Sequence, residues 1–182
     1  MKALLIIDIQ NDYFEGGKNP LKNSLQASEL AKNILEKFRD EKLPVIHIQH
    51  VSSRPDATFF IPQTSGVEIH SHVKPKEGEI VIIKNFPNSF IKTNLQDTLK
   101  KLKVDELVIC GMMTHMCVDA TTRAARDLGY TCTLIADACA TCDLEINGEK
   151  IQAKEVQNSF LAALSYYYAN VQASEQFLSS KV

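Results

Sequence analysis

No stretch of this sequence stays apolar for the roughly 20 residues that a bilayer-spanning helix needs, so no membrane span is expected. The first apolar run, Ala3 to Ile7, is cut short by Asp8 and has no small-residue cleavage pattern behind it, which argues against a secretory leader. Charge of neither sign dominates: Lys+Arg 20 stand against Asp+Glu 22 with no basic block, which excludes a nucleic-acid footprint or a surface built for anionic membranes. Five scattered cysteines, an odd number, make no disulfide framework, and with the missing leader they point to a reducing, cytoplasmic compartment. Internal repeats, low-complexity segments and interdomain linkers are also lacking. A chain of 182 residues with 45% hydrophobic content is expected to form one domain, 1–182, around one sizeable core, with a small molecule as its partner.

What is present alternates between two periods. Lys2 to Asp8 is a continuous apolar run ending in a carboxylate, as in a strand buried on both faces of a parallel sheet. Leu25 to Arg39 carries Leu30, Ala31, Ile34, Leu35 and Phe38 on one helical face, with Ser24 as its cap. Further strands are read at Pro44 to Gln49, Glu79 to Ile83, Glu106 to Cys110, Thr131 to Ala136 and Ala169 to Gln172, the last a short sixth strand before a polar tail. Helices are read from about Lys92 to Leu102, after Cys117 as far as Gly129, and from Ile151 to Tyr168. His50 to Glu77 loses periodicity and is read as a lid, and Asp137 to Lys150 as a polar loop. This alternation predicts an α/β fold: a doubly wound, Rossmann-like sandwich with a mostly parallel sheet of about six strands and helices on both faces.

Ligands of such sheets bind beyond the carboxyl ends of the strands. Asp8, Lys84 and Cys117 all fall just past strand ends on that edge. Cys117 also falls near a helix start, where unsatisfied N–H groups favour a thiolate, although a free cysteine there is equally read as a small buried hydrophobe. A 3-2-1-4-5 strand order puts strand three about 10 Å from strand one, so either Lys84 reaches inward or the chain after strand three bends. A cysteine with a carboxylate to take its proton and a lysine to balance both charges is a nucleophile suited to amides and related carbonyls.

With LLIIDIQNDYF at the N-terminus, KNFPNSF from Lys84 and GMMTHMCVDATTRAA from Gly111, the chain resembles the isochorismatase-like cysteine hydrolases. The resemblance implies a catalytic triad of Asp8, Lys84 and Cys117. It also implies a cis peptide at Met112-Met113, whose N–H groups join that of Cys117 in an oxyanion hole, and a homo-oligomer, dimer or tetramer. Members acting on isochorismate's vinyl ether generally lack the cysteine, so Cys117 points to a small-molecule amide, carbamoyl or ureido bond cleaved through an acyl-enzyme. Isochorismatase-type or nicotinamidase-type hydrolysis and a non-catalytic thiol-reactive binding protein are the alternatives. Metal-binding nicotinamidases carry an Asp-x-His element between strands two and three; here Asp56 is followed by Ala57 and Thr58.

No metal or other cofactor is therefore expected. His70 and His72 lack a third ligand and read as solvated or lid residues, while His47 and His50 point to opposite faces of a strand. His115 either touches substrate or caps and packs. Phe14, Phe59, Phe60, Phe86 and Met116 either line an apolar pocket or fill the core. Cys139 and Cys142 form a C-x-x-C pair outside any thioredoxin-like context and read as structural, and Cys110 and Cys132 as core.

Overall fold

The structure, a computed structural model, describes residues 1–179. In chain order its strands are β1 (Lys2–Ile7), β2 (Val45–His50), β3 (Ile80–Lys84), β4 (Glu106–Met112), β5 (Thr131–Ala140), β6 (Leu144–Ile146), β7 (Glu149–Ile151) and β8 (Asn170–Gln172). The helices are α1 (Ser24–Asp40), α2 (Leu95–Lys101), α3 (Asp119–Asp127), α4 (Ala153–Tyr167) and α5 (Ser174–Ser179). Six strands form one parallel sheet in the order β3-β2-β1-β4-β5-β8, the expected doubly wound arrangement.

Side chains of a strand alternate between faces, so β1 feeds two cores. Leu4 and Ile6 pack with Ala31, Ile34, Leu35 and Phe38 of α1 and with Phe177 of α5. Ala3, Leu5 and Ile7 pack on the other side with Leu99 of α2, Ala125 of α3 and Leu164 of α4. A strand covered twice has no polar face to show, which is why Lys2 to Asp8 reads as a continuous apolar run. No helix among the described residues is long and apolar enough to cross a membrane.

Several local expectations are corrected. Ser24 is the first helical residue of α1 and bonds the Leu21 carbonyl, while Asn23 takes the cap position in a left-handed conformation. Lys84 ends β3 instead of following it, and α2 starts three residues later than the apolar spacing suggests. Asp137 to Lys150 is not all loop: β5 continues through a register shift to Ala140, and β6 and β7 form an antiparallel hairpin. Its turn residues Asn147 and Gly148 both have positive φ, the requirement of a tight hairpin turn that Asn-Gly meets best. The tail after Gln172 begins with α5, whose first turn is held by Asp137 accepting from the Ser174 N–H and hydroxyl; residues 180–182 lie outside the described residues.

The segment between β2 and β3 is irregular except for two short 3₁₀ turns, Ser65–Val67 and Ser71–Val73. It is held down by the sequence that follows β1. Gln10 donates to the Val67 carbonyl, His70 N–H bonds the Ile9 carbonyl, and the buried Asp12 carboxylate accepts from the Phe60 N–H at 2.6 Å and the Lys18 N–H at 3.1 Å. A Cβ on Gly66 would lie 2.1 Å from an oxygen of that carboxylate, so glycine is needed there.

Candidate active site

Three strand ends and one turn supply the reactive groups. Asp8 directly follows β1 with φ 50°, a left-handed conformation that costs a residue with a Cβ on the order of 1–2 kcal/mol and that Asp tolerates better than most. Lys84 ends β3, in register with His50 at the end of β2. Cys117 sits in a π-helical turn, Thr114–Val118, that runs directly into α3, and the preceding Met112-Met113 peptide is cis. The turn is tied to the end of β5 by Thr114 Oγ1, which contacts the Ala140 carbonyl and Gln157, and by His115 Nδ1 against Thr141 Oγ1.

Lys84 reaches inward across the end of β2. Its Nζ lies 2.7 Å from Asp8 Oδ2, 3.2 Å from Cys117 Sγ and 3.0 Å from His50 Nδ1. Because β3 stays paired with β2 through Lys84, the extended side chain rather than a bend in the strand spans the distance. Asp8 and Lys84 are sealed from solvent, and apart from the Lys84 ammonium no N–H group bonds either Asp8 carboxylate oxygen among the described residues.

The electrostatics follow from burial. Burial pushes the Lys84 ammonium down, but the carboxylate of Asp8 and the sulfur of Cys117 more than offset it, and its pKa is raised. For Cys117, burial and the neighbouring Asp8 carboxylate push the thiol up against the pull of Lys84, and the result is raised. This corrects the expectation of a thiolate favoured by a helix start: the resting group is a thiol whose proton must be taken when it reacts. Tyr13 is likewise raised well above an ordinary phenol, by burial and then by Cys117 and Asp8.

Above Cys117 opens a cavity of about 240 Å3. Phe59, Phe60 and Met116 line it as expected, whereas Phe14, Phe86 and His115 do not. Phe14 is buried in a stack with His70, Phe86 is half-exposed beside Lys92, and His115 turns toward Thr141 and Phe160. The segment from Ser52 to Phe60 forms one wall, so the irregular stretch does lie over the site. Met113, named above for the cis peptide, also lines the cavity, and Tyr13, His50 and Asn85 are lining residues that pattern reading missed. His50 had a signal, since it ends a strand on the same edge as Asp8 and Lys84.

The histidines do not gather. His47 bonds Glu79, His70 and His72 meet edge to face with His72 Nδ1 on Ser28 Oγ, and only His50 enters the site. Donor atoms of Asp8, His50 and Cys117 lie within 4.8 Å of one another, a spacing a metal ion can use. Their shared neighbour in the structure is the Lys84 ammonium, a charge of the same sign as a metal's. All five cysteines are unpaired; Cys139 is buried with its thiol pushed up to about 12, mainly by burial, and Cys142 lies 4.0 Å from the sulfur of Met113.

Similarity to known proteins covers this whole framework. The protein YddQ of Bacillus subtilis, described as of the isochorismatase family, is 49% identical over 97% of this chain and 98% of its own length. A crystal structure from Oleispira antarctica assigned to the isochorismatase hydrolases superposes with a TM-score of 0.95 at 47% identity, covering 98% of this chain and 96% of that one. Streptothricin hydrolase of Streptomyces noursei is 31% identical over 91% of this chain, which spans 56% of that protein. The family model of the Isochorismatase domain matches residues 2–176, from the first strand to the last helix, and on that extent the chain belongs to the isochorismatase family of hydrolases.

Proposed function

We propose that the protein is a cysteine hydrolase that cleaves a C–N bond of a small molecule, in an amide, carbamoyl or ureido group, through a covalent acyl-enzyme. The observation that carries this reading is the buried ammonium of Lys84 held 2.7 Å from Asp8 and 3.2 Å from Cys117, the one of the three that lines the cavity. Asp8 takes the thiol proton as the sulfur attacks the carbonyl carbon. Backbone N–H groups of the Met112-Met113-Cys117 region receive the oxyanion. Collapse breaks the C–N bond, and Asp8 returns its proton to the departing nitrogen. Asp8 then takes a proton from water as it attacks the thioester, the C–S bond breaks, and Asp8 gives that proton to the departing sulfur, restoring the Cys117 thiol and the carboxylate. Lys84 stays protonated throughout, balancing whichever of the two acidic groups carries charge.

The cavity is smaller than the 300 Å3 or so at which pockets for drug-sized ligands begin, which favours a compact substrate. The streptothricin hydrolase likeness supports hydrolysis without fixing the substrate. A non-catalytic thiol-binding role would need Asp8 only as the counter-ion of Lys84, not as a proton acceptor for Cys117. The test is a screen of amides, ureas and carbamoyl compounds for ammonia or amine release, with Cys117→Ala alongside. Turnover abolished in Cys117→Ala supports the reading; turnover that survives it rejects the cysteine mechanism. We further propose a homo-oligomer in a reducing, cytoplasmic compartment, where five unpaired cysteines persist.

A further inference from the structure

Resting on that hydrolase reading, we propose that His50 is the positioning residue for Lys84, and that doing so fixes its ring as the Nε2–H tautomer, presenting an N–H donor to substrate in the cavity above Cys117.

A lysine ammonium has three N–H groups and no acceptor capacity. In this site three acceptors surround it: Asp8 Oδ2, Cys117 Sγ and His50 Nδ1. The first two take part in the reaction, and each alternates between protonated and ionised forms. His50 is the one partner whose pull on the ammonium stays constant through the cycle. It is well placed for that, because register partners on neighbouring parallel strands share a face and His50 is the partner of Lys84.

The main chain at His50 is itself clamped. Gln10 Oε1 accepts from the His50 N–H and Gln10 Nε2 donates to the His50 carbonyl, both at 2.8 Å, while the same Nε2 also reaches the Val67 carbonyl. The end of β2, the segment after β1 and the cover over the cavity are thereby fixed to one side chain.

The tautomer follows from the donor. An ammonium can only donate, so Nδ1 must be the unprotonated nitrogen, and the proton of the neutral ring sits on Nε2. His50 lines the cavity, and its Nε2 has no partner among the described residues yet is not walled in. The groups that face the ring are Lys84 from β3, Asp8 beyond β1, Cys117 from the turn before α3, and Phe60 from the covering segment. Burial and then Lys84 hold its pKa below the ordinary 6.5 against the opposite pull of Asp8, so the ring is neutral at pH 7. Protonation at acid pH turns Nδ1 into a donor aimed at an ammonium, and Lys84 loses its third acceptor.

The test begins without substrate. Nitrogen-15 spectra of labelled resting protein at pH 7 are expected to show His50 as the neutral Nε2–H tautomer; an Nδ1–H ring or an imidazolium overturns the proposal. His50→Asn, whose carbonyl oxygen stands near the place of Nδ1 and does not titrate, is compared with His50→Leu. In His50→Leu the rate of Cys117 alkylation at neutral pH, and of acyl-enzyme formation where a substrate is in hand, is expected to fall on the order of 10- to 100-fold, the loss of one hydrogen bond to a charged group. His50→Asn is expected to recover most of the alkylation rate and, below pH 6.5, to follow only the tenfold-per-unit fall of the thiolate fraction, without the steeper fall that wild type shows as His50 protonates. Equal alkylation rates in wild type and both variants overturn the positioning role. Failure of the hydrolase reading looks different: no turnover on any substrate, with spectra and alkylation as expected.

Discussion

The carbonyl oxygen of Ile7 occupies the space where a side chain at position 111 would begin. A Cβ built on Gly111 would lie 2.0 Å from that oxygen, and Gly111 has φ 139°, outside the range that residues with a Cβ adopt readily. Ile7 and Gly111 are register partners on β1 and β4, and the next residues on the two strands are Asp8 and Met112. The close approach therefore sets the separation of the strand that delivers the carboxylate from the strand that delivers the cysteine turn.

Gly111→Ala introduces both the backbone clash and the unfavourable φ. A loss of about 2–4 kcal/mol is expected from strain and overpacking together, or a melting temperature lower by roughly 4–16 °C for a chain of this size. Thermal unfolding of the purified variant measures it. A melting point within about 1 °C of wild type would show that the strands separate without cost, contrary to the geometry.

Cys117 reactivity should separate from turnover in Asp8→Asn. Burial and the Asp8 carboxylate hold the thiol up. Removing that negative charge lowers the thiol pKa, so iodoacetamide should alkylate Cys117 faster at pH 7 in the variant, while hydrolysis of an amide falls. In wild type the alkylation rate should rise nearly tenfold per pH unit between pH 7 and 9, following the thiolate fraction below its pKa. Slower alkylation in Asp8→Asn would mean that the carboxylate favours the thiolate, the opposite of the charge arrangement.

A second ion cluster ties α1 to the start of β3. Arg39 bonds both Glu79 oxygens, at 2.6 and 2.8 Å, and buried His47 bonds Glu79 at 2.9 Å. Burial pushes the Glu79 carboxyl up, but the bonds from Arg39, the Lys76 N–H and His47 outweigh it and hold it at about 2. A carboxylate with a depressed folded pKa contributes stability that is fully present above its ordinary 4.5 and is lost as pH falls toward 2. Glu79→Gln should therefore lower the melting temperature at pH 7, and the gap to wild type should shrink steadily below pH 4.5. A gap that is constant from pH 7 to pH 3 would remove ionisation from the explanation.

How much of this was legible in the sequence depends on whether the signal was local. The continuous apolar runs of β1 and β4 and the spacing of Ala31, Ile34, Leu35 and Phe38 report their own burial, so the order and type of the main elements could be read directly. Asp8, Lys84 and Cys117 were legible because the doubly wound topology carries strand ends to one edge. The hairpin at Asn147-Gly148 also had a local signal and was passed over within a polar stretch. Which aromatics face the cavity was not legible. Phe14 and Phe60 are both buried and near in sequence to site residues, yet whether each faces the cavity depends on how the covering segment folds back onto Asp12 and His70. The state of the thiol was misread for a related reason, since burial and the distance to Asp8 are properties of the folded chain alone.

The proposed self-association can be tested on α4, which leaves Ala162, Ala163, Tyr166 and Tyr167 exposed, Tyr166 at 92%. Small residues beside large aromatics make a surface that a second copy can cover. Light scattering on wild type should give a multiple of 20.3 kDa, and Ala163→Arg should shift it toward that mass. A wild-type monomer across micromolar concentrations would reject the proposal.

Division of labour between Asp8 and Cys117 gives the most direct test of the proposed reaction. In amide cleavage Asp8 has two tasks, taking the thiol proton and returning it to the leaving nitrogen. An activated ester of the same acyl group has a leaving group that departs without protonation, so it requires only the first. In Asp8→Asn the thiol is also more readily ionised, because the adjacent negative charge has gone. Single-turnover acyl-enzyme formation, followed by intact mass, should thus fall by about 10²–10⁴-fold on the amide and recover part of that loss on the ester. Cys117→Ala should form no acyl-enzyme from either substrate. Adding Asp8→Asn to Cys117→Ala should change residual turnover little, since groups that act as a unit are not additive. Lys84→Ala should differ from both, because it leaves the buried Asp8 carboxylate unpaired and should cost about 3–5 kcal/mol of stability besides activity. Equal loss on amide and ester in Asp8→Asn would remove Asp8 from proton transfer to the leaving group and leave it as the counter-ion that holds Lys84 beside Cys117.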